Sequence, residues 1–452
     1  VTDTATLAGG FNPTGTIVFK LYGPMSSVSC VDEGAGANLV FTSNPIAVNG
    51  NGVYGPSMPA FTPTLPGTYR WRAFYTSDNG KNVAVSGACG ATNETVMISK
   101  VTPGLSTQAS AGGVIGVSVT DTATLSGGFG TLTGTLVFRL YGPSATAVCT
   151  DSGGGANLVY TSPGIAVNGA GTYGPSGSFM PTAPGTYRWR ATFTPSGGSE
   201  VFNGSVTGAC NAANESVTIT KATPAIATVA SAGGPIGTQL TDTVTVTGFN
   251  PTGNVTFNLY GPNNASGSGA PIFSSTKALV GGSATSDAFT SVAAGTYRWT
   301  ASYAGDANNN AVSHPCNSLN ESADITQTTP TIATVASAGG TVGNTTLTDT
   351  ATVTGSSPTC TVTFNLFGPD NASCSGSPIF TSTVALVGGS ATSAGYAPTA
   401  PGVYRWTASY SGDANNTAVS HPCNSANETV TISKTTPTLV TQPQPLAIVG
   451  DT

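Results

Sequence analysis

Residues 254–260 read NVTFNLY. On an extended chain Val255, Phe257 and Leu259 fall on one side, and Thr256, Asn258 and Tyr260 fall on the other. A period of two with one apolar face is the mark of a half-buried β-strand, and Val, Thr, Phe and Tyr favour that conformation. The end of the stretch recurs along the chain: LYGP, LYGP, LYGP and LFGP begin at Leu21, Leu140, Leu259 and Leu366. Three further landmarks return with it. TDT is centred on Asp3, Asp121, Asp242 and Asp349; GTYRW or GVYRW carries Trp71, Trp189, Trp299 and Trp406; NE[ST] begins at Asn93, Asn214, Asn320 and Asn427. Copies stand roughly 110 residues apart, the size of one β-sandwich domain.

Around NVTFNLY the third copy resolves into seven short strands: PAIATVAS (A), QLTDTVTVTG (B), NVTFNLYG (C), PIFSSTKAL (D), SATSDAFTS (E), GTYRWTASY (F) and NESADITQ (G). Clusters such as FNPTG and YGPNNASGSG separate them, with the turn residues that break a strand. No segment carries a 3.6-residue period. The expected fold class is all-β: four tandem immunoglobulin-like β-sandwich domains arranged as beads on a string. In GTYRW, Tyr297 and Trp299 share a face. The tyrosine is placed for a corner hydrogen bond and the tryptophan for the core.

At this point a resemblance becomes specific. GTYRWTASYAGDANNNAV (295–312) and GVYRWTASYSGDANNTAV (402–419) resemble the end of bacterial Ig-like repeat domains, which recur in tandem in large surface and secreted proteins. The first two copies depart from it, with FYTSDNGKN and FTPSGGSEVFN in place of the YSGDANN hairpin. The resemblance implies a spacer, adhesive or filament-forming role and no chemistry. The domain reading is 1–101 as a repeat lacking its first strand, then 102–222, 223–328 and 329–435 as further repeats. Residues 436–452 read as strand A of a following or neighbouring repeat.

Only 7% of the 452 residues are charged, against roughly 25% in an ordinary soluble protein. The net charge is −6, without a basic run, which argues against nucleic acid as a partner. No apolar run approaches the roughly 20 residues of a membrane span. Val1 falls inside a strand pattern, so a mature or partial chain is expected. Catalysis has little to work with. The two histidines, His314 and His421, both lie in SHPC, where a turn role is expected, and no nucleophile, metal or phosphate motif stands out. The chain reads as a non-enzyme with no cofactor and no metal.

Eight cysteines remain. Cys30 with Cys89, Cys149 with Cys210, and Cys374 with Cys423 occupy equivalent places after strand C and before NE[ST], and three intradomain disulfides are expected. Each closes a loop of about 50 to 60 residues, worth roughly 4 kcal/mol in the chain-entropy model. Paired cysteines imply an oxidising location, extracellular or at the cell surface. The third copy keeps Cys316 but has Gly267 where its partner belongs, and the fourth holds an extra Cys360. A bridge between Cys316 and Cys360 across the domain junction is the expectation. Asp242 shares parity with Leu240, Val244 and Val246 in LTDTVTV, so it points inward and needs partners in a neighbouring loop. Asn93, Asn214, Asn320 and Asn427 head N-x-[ST] sequons and are candidate glycosylation sites.

The two ends of the chain read as halves of one repeat. Pro103 and Val119 are 16 positions apart, as are Pro224 and Leu240; 16 positions beyond Pro437 falls one residue past Thr452, where a second copy's Val1 would stand. The tail, with Pro437, Leu439, Leu446 and Ile448 as its joining positions, therefore reads as the strand A that the first repeat lacks. Two mechanisms fit: donation of the strand to the next copy, or one long polypeptide. The expected function is a structural subunit of an extracellular or cell-surface filament, its partners copies of itself head-to-tail. The alternative is an adhesin or stalk whose loops bind other cells or surfaces.

Overall fold

The computed structural model describes residues 1–442. The chain is all-β, with one short 3-10 turn at Ser199–Val201 and no α-helix among the described residues. Among the described residues no helix is long and apolar enough to cross a membrane. The chain divides into two compact units, Val1–Lys221 and Ala222–Thr452, and each holds the sheets of two repeats.

In the second unit the third repeat shows the plan. Strand B (Asp242–Thr247) lies between A (Ala225–Ala230) and E (Ser283–Thr285) in one sheet. The facing sheet has F (Gly295–Tyr303) flanked by C (Asn254–Tyr260) and G (Ser322–Thr326). A short strand, Val312–His314, continues the G edge along F. Gly234–Pro235, just after A, pairs in parallel with the end of G. The fourth repeat repeats this plan, with A at Thr331–Ala336, B at Asp349–Thr354, C at Thr361–Phe367, F at Gly402–Tyr410 and G at Thr429–Ser433. The stretch that opened the sequence reading behaves as its period requires: Val255, Phe257 and Leu259 are fully buried, and Thr256, Asn258 and Tyr260 are half-buried.

One strand sits elsewhere than its letter suggests. Phe273–Ala278, read as D, pairs with C along its whole length; the hydroxyls of Thr256 and Thr276 meet across the pair, and the Ser274 hydroxyl donates to the Asn258 amide oxygen. Consecutive strands pair with one another more often than not, and here that preference carries the strand into the C–F–G sheet.

Each sandwich closes on its tryptophan. Trp71, Trp189, Trp299 and Trp406 are buried and stand edge-on to Phe41, Tyr160, Phe273 and Phe380, with ring centroids 5.8, 5.8, 6.1 and 6.2 Å apart. That is a favoured geometry for aromatic pairs. The tyrosine two residues earlier donates its hydroxyl to the carbonyl four residues upstream: Tyr69 to Leu65, Tyr187 to Ala183, Tyr297 to Ala293 and Tyr404 to Ala400, at 2.8 to 3.0 Å. The expected tyrosine corner is present in every repeat.

The GDANN hairpin has a packing reason. Asn309 is buried, accepts from the Phe249 N–H and donates to the Phe249 carbonyl, so it pins the loop between B and C. Asn416 does the same at Ser356. The first two repeats lack the motif but keep the device, through Asn82 on Phe11 and Asn203 on Phe129.

Candidate functional site: an open edge and a recurring buried carboxyl pair

In the second, third and fourth repeats strand A covers one edge of B and reaches the start of G. Ala109, Ala230 and Ala336 donate their N–H groups to the carbonyls of Asn214, Asn320 and Asn427, at 2.8 to 3.0 Å. Among the described residues the first repeat has no strand at this edge, and its B strand, Ala5–Leu7, pairs only with Gly52–Tyr54. The consequence is visible residue by residue. Ala123 and Leu125, or Val244 and Val246, are buried, whereas Ala5 and Leu7 are only half-buried. A cleft of about 450 Å³ runs along this edge, lined by Ala5, Leu7, Trp71, Tyr75, Val85 and Glu94. It is the place that strand A fills in the other repeats. Of the tail residues expected to supply a strand, Pro437 and Leu439 are exposed and lie in neither helix nor strand. Leu446 and Ile448 lie outside the described residues.

The inward Asp of TDT is buried as expected: Asp121, Asp242 and Asp349 have no exposed surface. A serine from the strand E region holds each one's backbone, Ser176, Ser286 and Ser393 respectively, each accepting its N–H at 3.0 Å. The residue that sequence reasoning missed is the Glu of NE[ST]. Glu215, Glu321 and Glu428 are as deeply buried as the aspartates. Their backbone carbonyls accept the N–H of Trp189, Trp299 and Trp406 at 2.9 to 3.0 Å, which fixes each glutamate at the start of G, facing strand A. The signal was available: a Glu beside the same Asn in four copies of a chain with so few charges. The Asn itself, an exposed residue with φ of 66 to 69°, takes the left-handed turn that sends the next side chain inward.

Burial pushes these carboxyls up. Asp242 rises to about 6 and Glu321 to about 7, in both cases chiefly through desolvation. The pairs Asp121 with Glu215 and Asp349 with Glu428 shift the same way, for the same reason, and each glutamate is raised further by its aspartate. In the first repeat Glu94 is half-buried against Asp3 and also raised.

Strand A contributes a threonine to each complete cluster. Thr228 and Thr334 are buried, and each hydroxyl contacts the carboxyl of its glutamate, Glu321 or Glu428. The same hydroxyls meet the imidazole Nδ1 of His314 and His421 at 2.8 and 2.7 Å. The histidines thus do more than make a turn. They end the short strand beside F and face inward, 3.7 and 4.0 Å from the glutamate oxygens. In the second repeat both carboxyl oxygens of Glu215 are buried without a hydrogen-bond partner, and Gly208 stands where the histidine would be, donating to Ala191 as part of the same edge. Among the described residues no group of three or more metal-ligating side chains is arranged to hold an ion.

The three disulfides form as paired in the sequence: Cys30–Cys89, Cys149–Cys210 and Cys374–Cys423. The bridge expected between Cys316 and Cys360 does not form, and both thiols are free. The reason is local. His314 pairs with Ala301 in mid-strand F, so Cys316 is held over its own domain. A Cβ built on Gly267 would stand 2.6 Å from the Cys316 sulfur. Cys316 therefore faces the position where its domain's missing disulfide partner would sit. Cys360 lies before strand C, at the far end from the loop that Cys374 anchors, with its carbonyl taken by Leu386.

No family model matches the chain, and no curated protein does either. Solved structures do align with it. Escherichia coli alpha-2-macroglobulin activated by porcine elastase is 13% identical over 96% of this chain and 43% of its own, with a TM-score of 0.17. Sidekick-1 immunoglobulin domains 1–5 are 10% identical over 95% of this chain and 77% of theirs, at 0.25. A marsupial T cell receptor is 10% identical over 71% of this chain and all of its own, at 0.21. The chain spans less than half of the macroglobulin it aligns with. With TM-scores this low the likenesses add nothing to the β-sandwiches that the sheets themselves display.

Proposed function

We propose that this chain is a non-enzymatic structural subunit of an extracellular or cell-surface filament. Its first domain is completed by strand A of a neighbouring copy. The observation that carries the reading is the uncovered edge of the first sandwich. Residues 435–441, TTPTLVT, follow the same pattern as 328–334, TTPTIAT, which begin strand A of the fourth repeat. An unpaired strand edge beside a half-covered core is a template for another strand. A contact between one end of a molecule and the other end of the next does not close on itself, so it generates an open filament. The disulfides suit an oxidising space outside the cell.

The test is assembly of the purified full chain. Negative-stain microscopy and light scattering should find filaments that lengthen with concentration. A variant without residues 436–452 should stay monomeric. Adding a peptide of that sequence to the shortened chain should raise the unfolding temperature of the first domain. A full chain that stays monomeric and ignores the peptide overturns the reading. The denatured mass of native material separates the two ways of supplying the strand: 44.6 kDa for exchange between subunits, and a much larger mass for one continuous polypeptide.

A further inference from the structure

We infer that the third and fourth domains are sites of a self-catalysed intramolecular ester cross-link, joining Thr228 to Glu321 and Thr334 to Glu428, with His314 and His421 as the proton carriers. The reading rests on the cluster in each domain and does not depend on filament formation.

Four observations converge. The threonine hydroxyl on strand A is in contact with the glutamate carboxyl at the start of strand G, inside the core. The same hydroxyl meets a histidine ring nitrogen at hydrogen-bonding distance, 2.8 Å in one domain and 2.7 Å in the other. The second oxygen of Glu321 is buried without a hydrogen-bond partner, unusual for a group of such polarity. Asp242 and Asp349, fully buried nearby, oppose ionisation of the glutamates, whose burial already favours the neutral acid. A neutral carboxylic acid is an electrophile, whereas a carboxylate is not. Burial also holds His421 below its ordinary value, as the free base.

The step balances without an outside reagent. The Thr228 oxygen attacks Cδ of the protonated Glu321 carboxyl, and its proton passes to His314 Nδ1. A new Cδ–Oγ1 bond forms. The imidazolium returns the proton to Oε1, 3.7 Å from the ring nitrogen, the Cδ–Oε1 bond breaks, and one water leaves. In free solution water opposes such a condensation. Two groups held in contact react with effective molarities that reach about 10⁵ M, and the burial of Thr228 and Glu321 keeps out the water that would hydrolyse the product. The base beside the hydroxyl is the arrangement that nucleophilic catalysis requires. The second domain supplies an internal comparison. Its Glu215 carboxyl is buried without a hydrogen-bond partner and Gly208 stands in place of the histidine, so no cross-link is expected there.

Intact mass spectrometry of the full chain, denatured and reduced, tests this. The expected mass lies two waters below the sequence mass. Digestion should yield branched peptides joining the Thr228 segment to the Glu321 segment, and the Thr334 segment to the Glu428 segment, both severed by hydroxylamine. Thr228→Val should regain one water, Thr228→Ser should keep the link, and His314→Ala should form it many-fold more slowly. The sequence mass from a chain whose three disulfides have formed overturns the inference and leaves a hydrogen bond alone. So does a water loss that persists in the Thr228→Val, Thr334→Val double variant.

Discussion

Trp299 and Trp406 each fill the centre of a sandwich, against Phe273 and Phe380. Cutting either to alanine should cost about 3–5 kcal/mol, read from the denaturant midpoint of that domain. Tyr297→Phe removes only the corner hydrogen bond and should cost about 1 kcal/mol. The buried acids set a pH dependence of unusual sign. Asp121 and Glu215 face each other with Thr107, and both titrate above their unfolded values. Below roughly pH 4 both folded and unfolded states are protonated and nothing is lost. As the pH rises the unfolded chain ionises first, so folding weakens until the folded pair has titrated as well, above neutrality. The unfolding temperature of the second domain should therefore be higher at pH 5 than at pH 8. Asp121→Asn with Glu215→Gln should flatten the curve. The aspartate was legible from its parity with Val244 and Val246 in the equivalent strand. The glutamate was not, because it stands at the start of a short strand, where the inward direction is set by a left-handed asparagine and no alternation precedes it.

At the scale of elements, the disulfide between the loop after C and the approach to G is a modular part, lost once. Gly267 has φ of 58°, and Cys374, its counterpart, takes 47° in a formed bridge. Gly267→Cys should therefore close a fourth disulfide with Cys316. The gain should be about 2–4 kcal/mol, checked by non-reducing peptide mapping and by the melting temperature in the presence and absence of reductant. The strands themselves were readable because each alternates and is closed by Gly, Pro or Asn. Their assignment to sheets was less so. Phe273–Ala278 and a D strand have the same pattern, and only pairing with C decides between them. The free thiols show the same limit. Spacing suggested that Cys316 and Cys360 were the leftover pair, whereas position over Gly267 depends on how Val312–His314 lies along F.

At the scale of the molecule, a chain with 7% charged residues has little for salt to screen. Assemblies held by strand pairing and apolar burial should withstand added sodium chloride up to about 1 M, where exposed charges interact over only about 3 Å. Light scattering across a salt titration checks this; dissociation would point to ionic contacts instead. The four-fold recurrence was plain in the sequence, since landmarks at fixed spacing survive every local substitution. What the sequence could not convey is the cleft's depth and the glutamate within it. The parallel pairing of Gly234–Pro235 with the end of G has a mechanical meaning. The chain enters each complete domain through A and leaves through G, so a pull on its two ends loads those hydrogen bonds in shear. Bonds loaded together must break together, unlike a hairpin that unzips rung by rung. Under tension the second domain, where Gly113–Val114 pairs with the end of G in the same way and no ester is inferred, should behave as a stiff link that yields abruptly at high force.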